Sequence, residues 1–127
     1  METTREPEDL LPLTPAIFHI LLALAAGERH GYAIMREIAD TSGGQMRVGP
    51  GTLYRSIKQM LALDLIAESG ERPDPALDDE RRRYYRLTAF GQRVARAEAA
   101  RLERLVRLAE ARRLLGGAQP GAIGGAS

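Results

Sequence analysis

The sequence predicts a mainly α-helical fold with a small β-ribbon, in the order three short helices, two strands and one long helix. Three observations predict it. Prolines and glycines beside capping side chains cut the first 63 residues into short helical runs. Two β-rich runs, Leu65 to Ser69 and Arg83 to Leu87, flank a loop holding Pro73 and Pro75. A last apolar-periodic run follows Thr88 and continues without proline to about Leu115.

At 127 residues one domain is the default, and a chain of that size buries roughly two thirds of its unfolded surface. There is no cysteine, which excludes disulfides, thiolate zinc sites and cysteine nucleophiles. The longest apolar stretch, Ala16 to Ala26 around His19, falls short of the ~20 residues that span a bilayer. Met1 to Asp9 is acidic and lacks the basic start of a signal peptide. The expectation is a cytoplasmic protein with no membrane partner.

Residues 1–13 are expected as a poorly ordered acidic arm. Thr14-Pro15 then supplies a capping hydroxyl and a proline in the first helical turn. The helix over Ala16 to Ala26 is apolar on nearly every side, so it should stand centrally, and Gly27 ends it. His30-Gly31-Tyr32 opens a second helix with Ile34, Ile38 and Ala39 inward, and Ser42-Gly43-Gly44 stops it. Tyr32 is expected in the core. Gly49-Pro50-Gly51-Thr52 opens a third helix to about Leu63. At about 100° per residue, Leu53, Ile57, Met60 and Leu61 share one face, and Thr52, Arg55, Lys58 and Gln59 lie opposite, with Tyr54 on the flank. In the ribbon, Tyr85 and Leu87 point inward. Thr88 caps the fourth helix, whose stripe contains Val94, Ala97, Leu102, Leu105, Leu108 and Ala109. Residues 116–127 are low in complexity and expected to be disordered.

The formal net charge is +1, but its distribution is uneven. Residues 46–60 carry Arg47, Arg55 and Lys58 with no acid, and residues 81–113 carry eleven arginines against Glu98, Glu103 and Glu110. Acidic stretches separate these blocks. Fields near a phosphate backbone follow such blocks rather than the total, although solvated faces look similar.

Three short helices, a ribbon and one further helix is the order of a winged helix-turn-helix. That unit is assigned to residues 14–88, with a long C-terminal dimerisation helix over 89–115. The run His30-Gly31-Tyr32-Ala33-Ile34, then Gly51-Thr52-Leu53-Tyr54, Leu65-Ile66, Arg81 to Thr88 and Gly91, in order and at these spacings, resembles the PadR family of bacterial transcriptional regulators. The likeness covers about residues 14–113. It implies a winged-helix DNA-binding dimer, often a repressor, with the third helix in the major groove and the wing on the backbone. The single C-terminal helix is similar to the compact subclass of the family. Arg55 and Ile57 stand where members often have proline and leucine. The absence of tryptophan means that stacking of planar cations between dimer halves does not carry over.

Within that resemblance, double-stranded DNA is the partner and side-chain chemistry distributes the roles. The first turn of the third helix offers backbone N–H groups to a phosphate. Thr52 and Tyr54 carry hydroxyls for backbone oxygens, Arg55 suits guanine O6/N7, Gln59 suits adenine or a phosphate, and Lys58 a phosphate. Arg81, Arg82 and Arg83 lead into the second strand and would grip the backbone, or else guard a sheet edge against aggregation. The fourth helix is too long for so small a domain to cover. Val94, Leu102, Leu105, Leu108 and Ala109 are therefore assigned to a homodimer interface, with Glu98, Arg101 and Arg112 as cross-chain pairs. Two-fold pairing implies an inverted-repeat operator. A small-molecule effector between the helices is a further expectation, with Phe18, Leu22, Val94 and Leu102 as lining or, equally, as plain core.

No P-loop, dinucleotide fingerprint, nucleophile elbow or His–carboxylate pair at ligand spacing occurs, so an enzyme is not expected, and no cofactor or metal is assigned. The rival reading is a winged-helix protein-interaction module without specific DNA binding.

Overall fold

A computed structural model describes residues 5–71 and 83–115. The elements are α1 (Pro15–Ala25), β1 (Arg29–His30), α2 (Gly31–Thr41), α3 (Pro50–Ala62), β2 (Ile66–Glu71), β3 (Arg83–Leu87) and α4 (Ala89–Ala111). This is the mainly helical, small-sheet architecture read from the sequence.

Local chemistry explains where the helices begin. The Ile17 N–H donates to Thr14 Oγ1 at 3.2 Å, with Pro15 in the first turn. The Ala33 N–H donates to His30 Nδ1 at 3.1 Å, so the histidine caps α2. The Gly91 N–H donates to Thr88 Oγ1 at 2.8 Å. The Thr88 hydroxyl in turn donates toward the carbonyl oxygens of Asp64, at 2.6 Å, and Leu65, at 3.1 Å. This one threonine therefore ties the start of α4 to the approach to β2. α2 ends where Gly43 and Gly44 take φ of +62° and +81°, a conformation that side chains disfavour. The Gly44 N–H then donates back to the Ala39 carbonyl at 2.8 Å.

α1 stands in the centre, with Ile20 and Leu21 fully buried. Ile34 and Ile38 of α2, Leu53, Ile57 and Met60 of α3, and Tyr85 of β3 pack around it. The sheet has three strands rather than the expected two, in the order β1-β3-β2. β1 adds Arg29 opposite Tyr85 and His30 opposite Tyr84. Two residues carry no periodicity, and only pairing with a strand over fifty positions away makes them a strand. β2 starts at Ile66 instead of Leu65, and its register with β3 shifts between Glu68 and Gly70.

The N-terminal segment also differs from its expected disorder. Pro7–Leu10 form a 3-10 turn packed on α4, with Pro7 buried and Leu10, Leu11 and Leu13 half-buried against the core. The Leu13 N–H donates to Glu98 Oε2 at 3.1 Å, and Arg93 approaches Glu6 at 3.9 Å. Apolar side chains and one buried acceptor order a segment that looks merely acidic in sequence.

Glu98 is only 2% exposed. Arg101 donates to it from Nε at 2.6 Å and from Nη2 at 3.0 Å. The expected cross-chain pairing of Glu98 and Arg101 is therefore replaced by a pair within one chain. Hydrogen bonding from Arg101 is the main reason the Glu98 carboxyl lies below the usual glutamate value, with the Leu13 amide assisting and burial opposing. A depressed folded-state pKa contributes stability above the unfolded value of about 4.3, and that stability is lost as pH falls through the folded value. In acid titrations of thermal stability, the wild type is expected to lose Tm more steeply than Glu98→Gln below about pH 4.3. Parallel acid limbs would contradict this role.

α4 stops at Ala111, short of Leu115, because Arg112 caps it and Arg113 adopts φ of +63°. Its 23 residues span about 34 Å. Val94 is 0% exposed within this chain's own core. Its assignment to the dimer interface is therefore corrected: it has no surface to offer a partner. Leu102 and Ala109 are half-buried, and Leu105 and Leu108 are exposed. The expected tail 116–127 lies outside the described residues, as does the connection 72–82 between β2 and β3.

Candidate nucleic-acid interface

α3 divides cleanly into two faces. Leu53, Ile57 and Met60 are buried, and Ser56 joins them. Thr52, Arg55, Lys58 and Gln59 are all exposed, as the helical period requires. Arg55 Nη2 donates to Thr52 Oγ1 at 3.3 Å, which lays the guanidinium along the first turn of the helix. The N-cap residue is Gly49, which offers no capping side chain, so the first-turn amides of Gly51 and Thr52 face outward without one.

The carboxylates are distributed elsewhere. Arg29 pairs with Glu37, Arg83 with Glu68, Arg93 with Glu6, Arg101 with Glu98 and Arg107 with Glu103. Among the described residues, no carboxylate pairs with Arg36, Arg47, Arg55 or Lys58. The cations of α2, α3 and the turn between them are thus left with open hydrogen-bonding capacity.

Tyr54 has a structural duty. It is half-buried, and a Cβ placed on Gly31 would collide with its hydroxyl. Two of the sequence signatures, His30-Gly31-Tyr32 and Gly51-Thr52-Leu53-Tyr54, are therefore the two halves of one contact. In the wing, Arg83 is exposed and reaches Glu68 at 3.9 Å. Arg81 and Arg82 lie outside the described residues.

Tyr32 departs from its expected core position. It is 45% exposed, with the Arg36 guanidinium carbon 6.0 Å from its ring centre. The spacing of Tyr32 and Arg36, four residues apart and opposite Ile34 and Ile38, was the available signal. Arg47, Arg36 and Tyr32 all join the same side of the molecule around one shallow depression. Of the residues named as effector lining, Val94 belongs to the core and Leu22 is exposed. Among the described residues, no helix is long and apolar enough to cross a membrane.

Residues 20–97 match the model of the Transcriptional regulator PadR-like family. The chain belongs to this family. PadR-like proteins are transcriptional regulators rather than enzymes. A curated relative, an uncharacterized 37.1 kDa protein in transposon TN4556 of Streptomyces fradiae, is 36% identical over 86 residues. That match covers 68% of this chain and 22% of the relative, so the PadR-like chain spans about a fifth of that protein's length. A transcriptional regulator from Clostridium thermocellum superposes with a TM-score of 0.63 at 21% identity, covering 75% of this chain and 86% of its own. A PadR family transcription regulator from Clostridium difficile R20291 gives 0.63 at 20% identity, covering 76% and 96%. RosR from H. salinarum gives 0.57 at 29% identity, covering 78% and 79%. The first two establish a shared fold. The PadR-like signature residues His30, Gly31, Tyr54, Thr88 and Gly91 all serve that fold, through caps and close packing.

Proposed function

We propose that this PadR-like regulator is a homodimeric repressor that reads an inverted-repeat operator with α3 in the major groove. Residues 14–88 act as the DNA-binding unit and α4 as the dimerisation helix. The observation that carries the reading is the exposed face of α3, where Arg55 and Lys58 lack carboxylate partners among the described residues, opposite a buried face of Leu53, Ile57, Met60 and Ser56. Thr52 and the uncapped first turn suit phosphate oxygens, and Arg55 and Gln59 suit base edges. Arg83, with Arg81 and Arg82, would steady the wing on the backbone. Fluorescence anisotropy against the DNA upstream of its own gene and a scrambled duplex tests this. Tighter binding to the upstream duplex at physiological salt supports it. Equal binding erased by salt would favour the protein-interaction module instead.

The dimer rests on Leu105 and Leu108, 50% and 48% exposed on an otherwise ordered helix, with Leu102 and Ala109 beside them. Pairing α4 with a second copy would set the two α3 helices about 34–36 Å apart, one turn of DNA. The double variant Leu105→Glu/Leu108→Glu is expected to raise the dimer dissociation constant roughly 100-fold or more, since each leucine contributes about 1.5–3 kcal/mol when buried. Light scattering at micromolar concentration reads it directly, and a monomeric wild type would overturn the dimer. An effector seated between the paired helices, releasing the DNA, completes the proposed mode of action.

A further inference from the structure

Between α2 and the turn leading into α3 lies a shallow depression of about 220 Å³ lined by Tyr32, Met35, Arg36, Ala39, Arg47 and Val48. We propose that it seats a DNA backbone phosphate and clamps the duplex independently of sequence, an inference that rests on the DNA-binding reading above. Arg36 and Arg47 both line one concavity, with no carboxylate paired to either among the described residues. Two cations on one depression draw an anion to it. The acids nearest in sequence do not relieve them: Glu37 is engaged with Arg29 at 3.5 Å, and Asp40 is not part of the lining.

The lining also prepares the cations. The Tyr32 ring holds the Arg36 guanidinium through its face at 6.0 Å, which leaves the N–H edge for oxygen acceptors. Arg47 folds over Gly44, with Nη2 3.6 Å from where a Cβ would stand. Met35, Ala39 and Val48 supply the apolar part of the lining. Arg47-Val48-Gly49 runs directly into Pro50, so the depression adjoins the first turn of α3. That is the place for a contact that fixes register on the duplex while α3 reads bases.

The test uses the full chain, the upstream duplex and a scrambled duplex, titrated by anisotropy over a range of salt. Arg36→Ala and Arg47→Ala are each expected to weaken both duplexes by the same factor, roughly 3- to 10-fold, and to lower the salt slope by about one. Tyr32 is a positioning residue: Tyr32→Phe should bind as wild type, and Tyr32→Ala should reproduce part of the Arg36→Ala loss in affinity and slope. Circular dichroism confirms that each variant is folded. Unchanged affinity and slope would overturn the clamp, as would a loss confined to one duplex. Inorganic phosphate at matched ionic strength should compete no better than chloride. A wild type that binds neither duplex would overturn the DNA-binding reading and the clamp together.

Discussion

Arg55→Ala is expected to weaken binding to the operator roughly 5- to 150-fold while changing random-duplex affinity by only about 3-fold, the range a lost bidentate base contact implies. Arg55 is exposed on the acid-free face of α3, one turn from the helix start. Its guanidinium donates to Thr52 Oγ1 at 3.3 Å, which places it over the start of the helix. The planar fork matches guanine O6 and N7, whereas a lysine offers a point charge. Arg55→Lys should therefore restore most of the random-duplex affinity and little of the discrimination. Anisotropy on both duplexes at one salt concentration decides it. Equal losses on the two would make Arg55 a phosphate contact.

Gly91→Ala is expected to cost about 3 kcal/mol, the upper end for overpacking. A Cβ there would meet the Leu65 carbonyl oxygen, and it would lie 2.8 Å from the carbonyl carbon and 3.2 Å from Cα. Those are backbone atoms, and the carbonyl is held in place by the Thr88 N–H and hydroxyl, each at 3.1 Å. No rotamer change can relieve the clash, so α4 must shift away from β2. The better helix propensity of alanine, about 1 kcal/mol, offsets only part of this. A fall in Tm on the order of 10 °C is expected by circular dichroism. Gly51→Ala is the control, because a Cβ at Gly51 meets nothing within 4 Å. A Gly91→Ala protein melting with the wild type would show that α4 can move freely against the ribbon.

What was legible in the sequence is what local chemistry decides. Thr14-Pro15 and Thr88 mark helix starts because a hydroxyl caps amides three residues on, and the structure shows both bonds. The two faces of α3 follow from its period alone. What escaped depends on residues far apart. β1 is a strand only through Tyr84 and Tyr85. The segment before α1 is ordered through Glu98, 85 positions from Leu13. Glu98 itself looked like an interruption of an apolar stripe, because a helical wheel shows a direction without saying which chain lies there. Val94 failed as an interface residue for the same reason, and Tyr32 because a tyrosine at a helix start satisfies both core and surface patterns.

The seating of Tyr54 against Gly31 bears on how a signal could travel through the molecule. A swivel of α2 against α3 would have to displace that ring, so the pair is expected to move together. In the proposed dimer, affinity for a single half-site should then stay constant whatever state the molecule is in. In such a dimer, control would work on the separation and tilt of the two reading heads. An effector would act as a change of gauge between them rather than a change in either one.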